Sequence, residues 1–181
     1  MRRQISVCLL TGEFPFDAAF CLVRSLLPRG HLRSQPALAA DPPGQALRFE
    51  WKIAPGTDIG VFYRPGAYEY RIIDNQHRGR LKHARWAAGA LYGCVGPEKD
   101  LAKPVGEWNE GAIVCRGTSI EHWLNGEKVV ALDYAKPEWA PIVEAFQKRQ
   151  RADLAARGRF LTLKDHQGPV WYRNIRLRKL D

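Results

Sequence analysis

Residues 103–130 read KPVGEWNEGAIVCRGTSIEHWLNGEKVV. The stretch reads as two short strands, Glu107–Arg116 and Ile120–Asn125. A tight turn joins the two runs. Asn125-Gly126 marks a second turn, because this pair tolerates the positive φ that a two-residue hairpin loop requires. Alternation also sorts the side chains. Glu107, Asn109, Ile113 and Cys115 share one side of the first strand, and Trp108, Glu110, Val114 and Arg116 share the other. On the second strand Ile120, His122 and Leu124 alternate with Glu121, Trp123 and Asn125. Carboxylates, tryptophans and amides thus recur together. Aromatic rings stack on the apolar faces of sugars, and carboxylates and amides grip hydroxyls. The pattern is also that of core tryptophans beside solvent-facing glutamates, and parity alone does not choose.

Outward from this stretch the same period continues. LRFEWKIAP from Leu47, GVFYRPG, AYEYRIID, AGALYGCV (Ala88–Val95), FLTLKD and VWYRNIRLRKL each read as a strand, with Pro65-Gly66 as a turn. One helix interrupts, from Pro137 to Ala156, with Trp139, Val143, Phe146 and Gln150 on one stripe and Gly158 as its stop. Many short strands and a single helix predict an all-β sandwich or jelly roll. Residues 1–46 differ: five prolines, no sustained period, and DPPG at Asp41–Gly44 as a boundary. They predict a loosely held segment ahead of a domain over 47–181.

The 181 residues are 45% hydrophobic and include six tryptophans, enough for a real core. The longest apolar runs fall far short of a membrane span. The formal charge of +9 is spread along the chain. Its densest clusters are Lys148-Arg149-Arg151 and Arg173, Arg176, Arg178 and Lys179, the latter on an alternating strand that reads as a solvated face. No phosphate-binding loop or recognition helix accompanies them, so no nucleic-acid partner is expected. Cys8, Cys21, Cys94 and Cys115 show no Cys-x-x-Cys spacing. Cys94 and Cys115 lie in apolar surroundings, as small buried side chains or as a disulfide. Arg2-Arg3 and ALAA at Ala37–Ala40 imitate a signal peptide, but Glu13, Asp17 and Arg24 break the apolar stretch between them. Nothing in the sequence specifies an oligomeric state.

Two further groups could carry chemistry. Glu69 stands between two tyrosines, and Asp74 ends its strand with His77 just beyond. Asp74 either serves a site or closes a turn. Asp74 and His77 could share a divalent metal ion, since both are usual ligands. Asp165-His166 puts an imidazole beside a carboxylate at a strand end, as a general base or as an ordinary loop histidine. No Gly-x-Ser-x-Gly elbow is present, which excludes that route to a serine nucleophile.

Six blocks in this order, GVFYR, YEYRIIDNQH, AGALYG, KPVGEWNE, IEHWLNGEKVV and DHQGPVWYRNIRLR, resemble the 3-keto-disaccharide hydrolase family. The likeness runs from Leu47 to Leu180. It implies a concanavalin A-like jelly-roll sandwich, usually exported or periplasmic, that acts on small-molecule or oligosaccharide glycosides already oxidised to a ketone at C3. The resemblance carries its polar motif onto Arg64, Glu69, Asp74, His77, Glu107, Asn109, Glu121, His122, Asp165 and His166. It implies His166 or His77 as the base, with Asp165 and Glu69 also in the catalytic set. Arg64, Glu107, Asn109, Glu121 and His122 then bind substrate, with Trp108 and Trp123 stacking on the sugar. Thr57–Val61 departs from the family's Gly-Asn-Ser-Gly-Ile, and Phe160 stands where a histidine is common. Residues 1–46 resemble neither the family's first strands nor its signal peptide, so a jelly roll lacking those strands is expected. The alternative function is a lectin-like carbohydrate-binding module without turnover, which needs no imidazole at C2.

Overall fold

The computed structural model describes residues 44–64, 68–77, 83–150, 153–154 and 161–180, together with the backbone of Arg3–Ser6 and Cys21–Leu22. Among the described residues ten strands form two antiparallel sheets. β1 (Arg3–Ser6), β9 (Thr162–Asp165), β4 (Asp58–Phe62) and β5 (Glu69–Ile73) lie in that order in one sheet. β2 (Cys21–Leu22), β10 (Val170–Leu180), β3 (Gly44–Ile53), β6 (Asn109–Arg116), β7 (Ser119–Leu124) and β8 (Glu127–Asp133) form the other. The chain passes between sheets from β3 to β4, from β5 to β6, and on both sides of β9. This is the expected all-β sandwich. The segment 1–46 lies mostly outside the described residues. β1 and β2 within it pair with β9 and β10.

The opening stretch folds as its period predicts. β6 and β7 pair from Gly111↔Leu124 to Arg116↔Ser119, and β7 turns into β8 at Asn125-Gly126, both with positive φ. The apolar members of the alternation form the core. Leu47, Phe49, Trp51 and Ile53 of β3, Ile113 and Cys115 of β6, and Ile120 and Leu124 of β7 face Ile59, Val61, Tyr70 and Ile72 of the smaller sheet. Between the sheets a side chain is omitted at Gly111. A Cβ on Gly111 would lie 2.8 Å from the Phe49 ring and 3.3 Å from that of Tyr70. Phe49 and Tyr70 meet edge to face at 5.2 Å, and the Tyr70 hydroxyl donates to the Trp123 carbonyl across the sandwich.

Two sequence expectations change. Ala88–Val95 is not a regular strand: Gly89 and Gly93 adopt φ of +83° and +72°, and the segment turns back on itself through a Leu91–Val95 bridge. It still hydrogen-bonds to the free edge of β5, with Arg71 N–H donating to Ala90 and Tyr92 N–H to Glu69. The expected helix begins as a 3₁₀ turn at Pro137–Trp139 and continues as α1 (Ala140–Gln150), with Phe146 buried and Trp139 and Val143 packed on the core. Its expected end at Gly158 lies outside the described residues. Cys94 and Cys115 are free thiols rather than a disulfide, and burial raises the Cys94 thiol to about 12.

His122 is completely enclosed in this core. Its Nδ1 is 2.9 Å from the Gly89 carbonyl, which can only accept, so Nδ1 carries the proton. Nε2 then accepts from the Tyr63 hydroxyl at 2.9 Å. Burial lowers the imidazole from 6.5 to about 4, so the ring is neutral near pH 7. An unfolded chain gains a proton below pH 6.5 that the folded chain refuses until about pH 4. The resulting stability is complete above pH 6.5 and is lost as the pH falls toward 4, by at most about 3 kcal/mol. Urea unfolding of His122→Gln between pH 7 and pH 4.5 is therefore expected to show a shallower pH slope than the wild type, and equal slopes would refute this role. At Gly111 an added methyl overfills the core, and Gly111→Ala is expected to cost about 1–3 kcal/mol in the same measurement.

Candidate functional site

Strand alternation in the smaller sheet turns a second set of residues away from the core. β4 presents Asp58, Gly60 and Phe62; β5 presents Glu69 and Arg71; β9 presents Thr162 and Lys164. The register places Phe62 opposite both Glu69 and Thr162, and Gly60 opposite Arg71. This outer face is polar and yet largely shielded from water. Glu69 is 1% exposed, Arg71 6% and Asp58 7%.

The charges there form one chain of ion pairs. Arg71 pairs with Asp58 through one terminal nitrogen and with Glu69 at 3.2 Å through the other. Lys164 Nζ is 3.2 Å from both oxygens of Glu69. The Arg71 guanidinium lies 4.3 Å from the centre of the Tyr92 ring, and Lys164 lies between Tyr92 and Phe62 at 5.5 and 5.7 Å. Gly60 makes the arrangement possible: a Cβ there would lie 2.5 Å from Glu69 Cγ, so the glutamate occupies the space that a side chain would take. Removing one partner from such a buried pair costs about 3–5 kcal/mol. A fold that needed only stability would use apolar residues here, and departures of this kind are expected at functional sites.

Past β9 the backbone runs to Gln167, whose carbonyl accepts from Asp58 N–H at 2.8 Å. His166, exposed and two residues beyond Lys164, therefore borders the Asp58 end of this face. Asp165 is described by its backbone alone, paired with Arg3. His77 flanks the same end, its ring 3.6 Å from where a Cβ on Gly56 would be. Asp74 is committed to the turn. One oxygen accepts from Gly56 N–H and the other from the N–H groups of Gln76 and His77. Among the described residues no group of three or more His, Cys, Asp or Glu side chains could hold a metal ion. Among those described residues Asp74 and His77 have no third such side chain grouped with them.

The remaining predicted residues lie elsewhere. Arg64 is buried beyond the end of β4, 5.7 Å from the centre of the Tyr68 ring. Asn109 is also buried, accepting from Lys103 N–H at 2.8 Å and from Asn125 at 2.9 Å, so it stitches the 101–109 loop to the hairpin. Trp108, Glu121 and Trp123 occupy the outer face of the larger sheet, on the opposite side of the sandwich from Glu69. There Glu121 accepts from the Trp123 indole at 3.1 Å and from Lys128 at 3.0 Å, while Lys52 and Arg173 lie 5.1 and 4.0 Å from the Trp108 ring centre. Glu107 is exposed in the preceding turn. His122 is internal, as described. Asp58, Arg71 and Lys164 were not singled out from the sequence. Their signal was the alternation of polar residues on three separate strands, whose register no local pattern reveals.

The chain matches the sequence profile of the 3-keto-alpha-glucoside-1,2-lyase-like domain over residues 44–178. A 3-keto-disaccharide hydrolase of Bacteroides thetaiotaomicron is 25% identical, with 75% of this chain and 58% of that protein covered. The chain thus spans less than two thirds of the length of this relative. Two crystal structures of candidate glycosyl hydrolases from Parabacteroides distasonis share the sandwich fold. One has a TM-score of 0.62 at 21% identity, covering 77% of this chain and 71% of the other. The second has a TM-score of 0.60 at 23% identity, covering 78% and 85%. With 135 of its 181 residues spanned by the match (178 − 44 + 1), this chain belongs to the 3-keto-alpha-glucoside-1,2-lyase-like domain family.

Proposed function

We propose that this domain has glycosyl hydrolase-type activity and that its substrate is a glucoside already oxidised to a ketone at C3. Family membership and the name of the Bacteroides relative support the substrate class. The observation that carries the assignment to a particular face is the shielded chain of Asp58, Arg71, Glu69 and Lys164 between the Phe62 and Tyr92 rings.

The chemistry follows from the ketone. It acidifies the hydrogen on C2. A base takes that proton, and the C–H electron pair moves to the C3 oxygen as an enolate. The enolate re-forms the ketone and expels the aglycone oxygen from C1 with the C1–O electron pair, that oxygen taking the proton removed from C2, which leaves a C1–C2 double bond. Water then adds, hydroxyl to C1 and hydrogen to C2, for net hydrolysis. Such a sequence needs a base at C2 and positive charge at the C3 oxygen. Lys164 and Arg71 supply fixed cations, held by Glu69 and Asp58 so that little reorganisation accompanies charge development. Glu69, paired with both cations, is better suited to holding them and accepting a sugar hydroxyl than to removing a proton. His166 at the open border of the face is the base in this reading, and His77 flanks it.

The assay is release of 3-keto-glucose from 3-keto-trehalose by the full chain. Release is expected, and its absence from folded protein would overturn the proposal. His166→Ala is expected to lower kcat by about 10²-fold or more, as for loss of a general base. Retention of wild-type kcat in that variant would remove His166 from the role. Lys164→Gln is expected to lower kcat and kcat/KM together, because its interaction strengthens only as the enolate forms; a change in KM alone would assign it to binding.

A further inference from the structure

On the other side of the sandwich, a groove of about 820 Å³ runs over the outer face of β3, β6, β7 and β10. Its floor is made of small residues, Ala46, Ala112 and Val114. Its walls carry Arg48, Arg116, Arg176 and Arg178, all exposed. Register gives their order. Arg176 is directly opposite Arg48, Arg178 is opposite Ala46, and Arg116 is opposite Gly44. The cations therefore step along the ladder at every second residue of β3, over four residues or about 13 Å.

Like charges directly opposite on neighbouring strands are destabilising. Among the described residues none of the four guanidiniums has an ion pair. Glu110 and Glu121 line the same groove, yet Glu121 is held by Lys128 and by the Trp123 indole. A row of arginines with no ion pair among the described residues, over an open floor, is complementary to a chain of anionic groups. Arginine grips carboxylates in two parallel hydrogen bonds. The two glutamates and Trp123 on the far wall suit hydroxyls and the apolar face of a ring. A DNA strand has no free sugar hydroxyls along its length for these two glutamates, whereas an oligosaccharide presents hydroxyls on every ring.

We infer that this groove binds an acidic oligosaccharide, whose sugar rings carry carboxylates for the arginines and hydroxyls for Glu110 and Glu121. The site is separate from the Glu69 face and does not depend on what that face catalyses.

Isothermal titration of the full chain with tetragalacturonate tests it, with maltotetraose and octathymidylate as comparisons. Saturable one-to-one binding of tetragalacturonate is expected, weakening with added salt and at least tenfold tighter than either comparison. Arg176→Gln/Arg178→Gln is expected to weaken it at least tenfold, and Lys136→Gln/Lys148→Gln, which removes the same charge outside the groove, less than twofold. Arg48→Gln, on a different strand, is expected to weaken binding as well and gives the reading if the double variant loses its fold. No saturable binding, equal losses in the two double variants, or octathymidylate binding as tightly as tetragalacturonate would overturn the inference.

Discussion

The register of β5 is the constraint on which the rest of the sandwich depends. Tyr70 and Ile72 point inward, where Tyr70 meets Phe49 over Gly111 and reaches the Trp123 carbonyl. The intervening residues, Glu69 and Arg71, are thereby turned to the outer face. A slip of one position would drive both charges into the core and expose two large apolar side chains. Packing between the sheets and the ion pairs outside them are set by the same alternation, and neither can change alone.

Two kinds of buried polar group serve different ends. His122 is a neutral hydrogen-bonding node whose two nitrogens are both satisfied, by Gly89 and Tyr63. It joins β7 to the segment that runs along β5. The Asp58–Arg71–Glu69–Lys164 chain keeps its charges by pairing them in series, with the space for Glu69 provided by Gly60. The first arrangement favours an uncharged imidazole, whereas the second is a series of ion pairs. That contrast separates a core histidine from a candidate catalytic face more sharply than residue type does.

The two outer faces also differ in their charge balance. On the smaller sheet each described cation has an acidic partner. On the larger one Arg173 pairs with Glu50 and Lys128 with Glu121, whereas the arginines of the groove have no such partner among the described residues. The net charge of +9 is therefore not a uniform coat, and part of it is concentrated where β3 and β10 run side by side.

Much of the fold was legible in the sequence because it is local. The period of two in β3, β6 and β7, the Asn125-Gly126 turn and the apolar stripe on α1 depend only on neighbours along the chain. The six blocks that match the family are likewise stretches of sequence, and Glu69, His77 and His166 could be read from them. Ala88–Val95 misled because the positive φ of Gly89 and Gly93 turns an apolar run into loops. What sequence could not supply was the pairing between strands. Trp108, Glu121 and Trp123 share the parity expected of a sugar-facing patch, but parity does not say which sheet face a patch will join. Only tertiary structure turned them to the side opposite Glu69, enclosed His122, and brought Asp58, Arg71 and Lys164 together from positions up to 106 residues apart (164 − 58). Alternation is a property of one strand, whereas a site of this kind is made by the register of three.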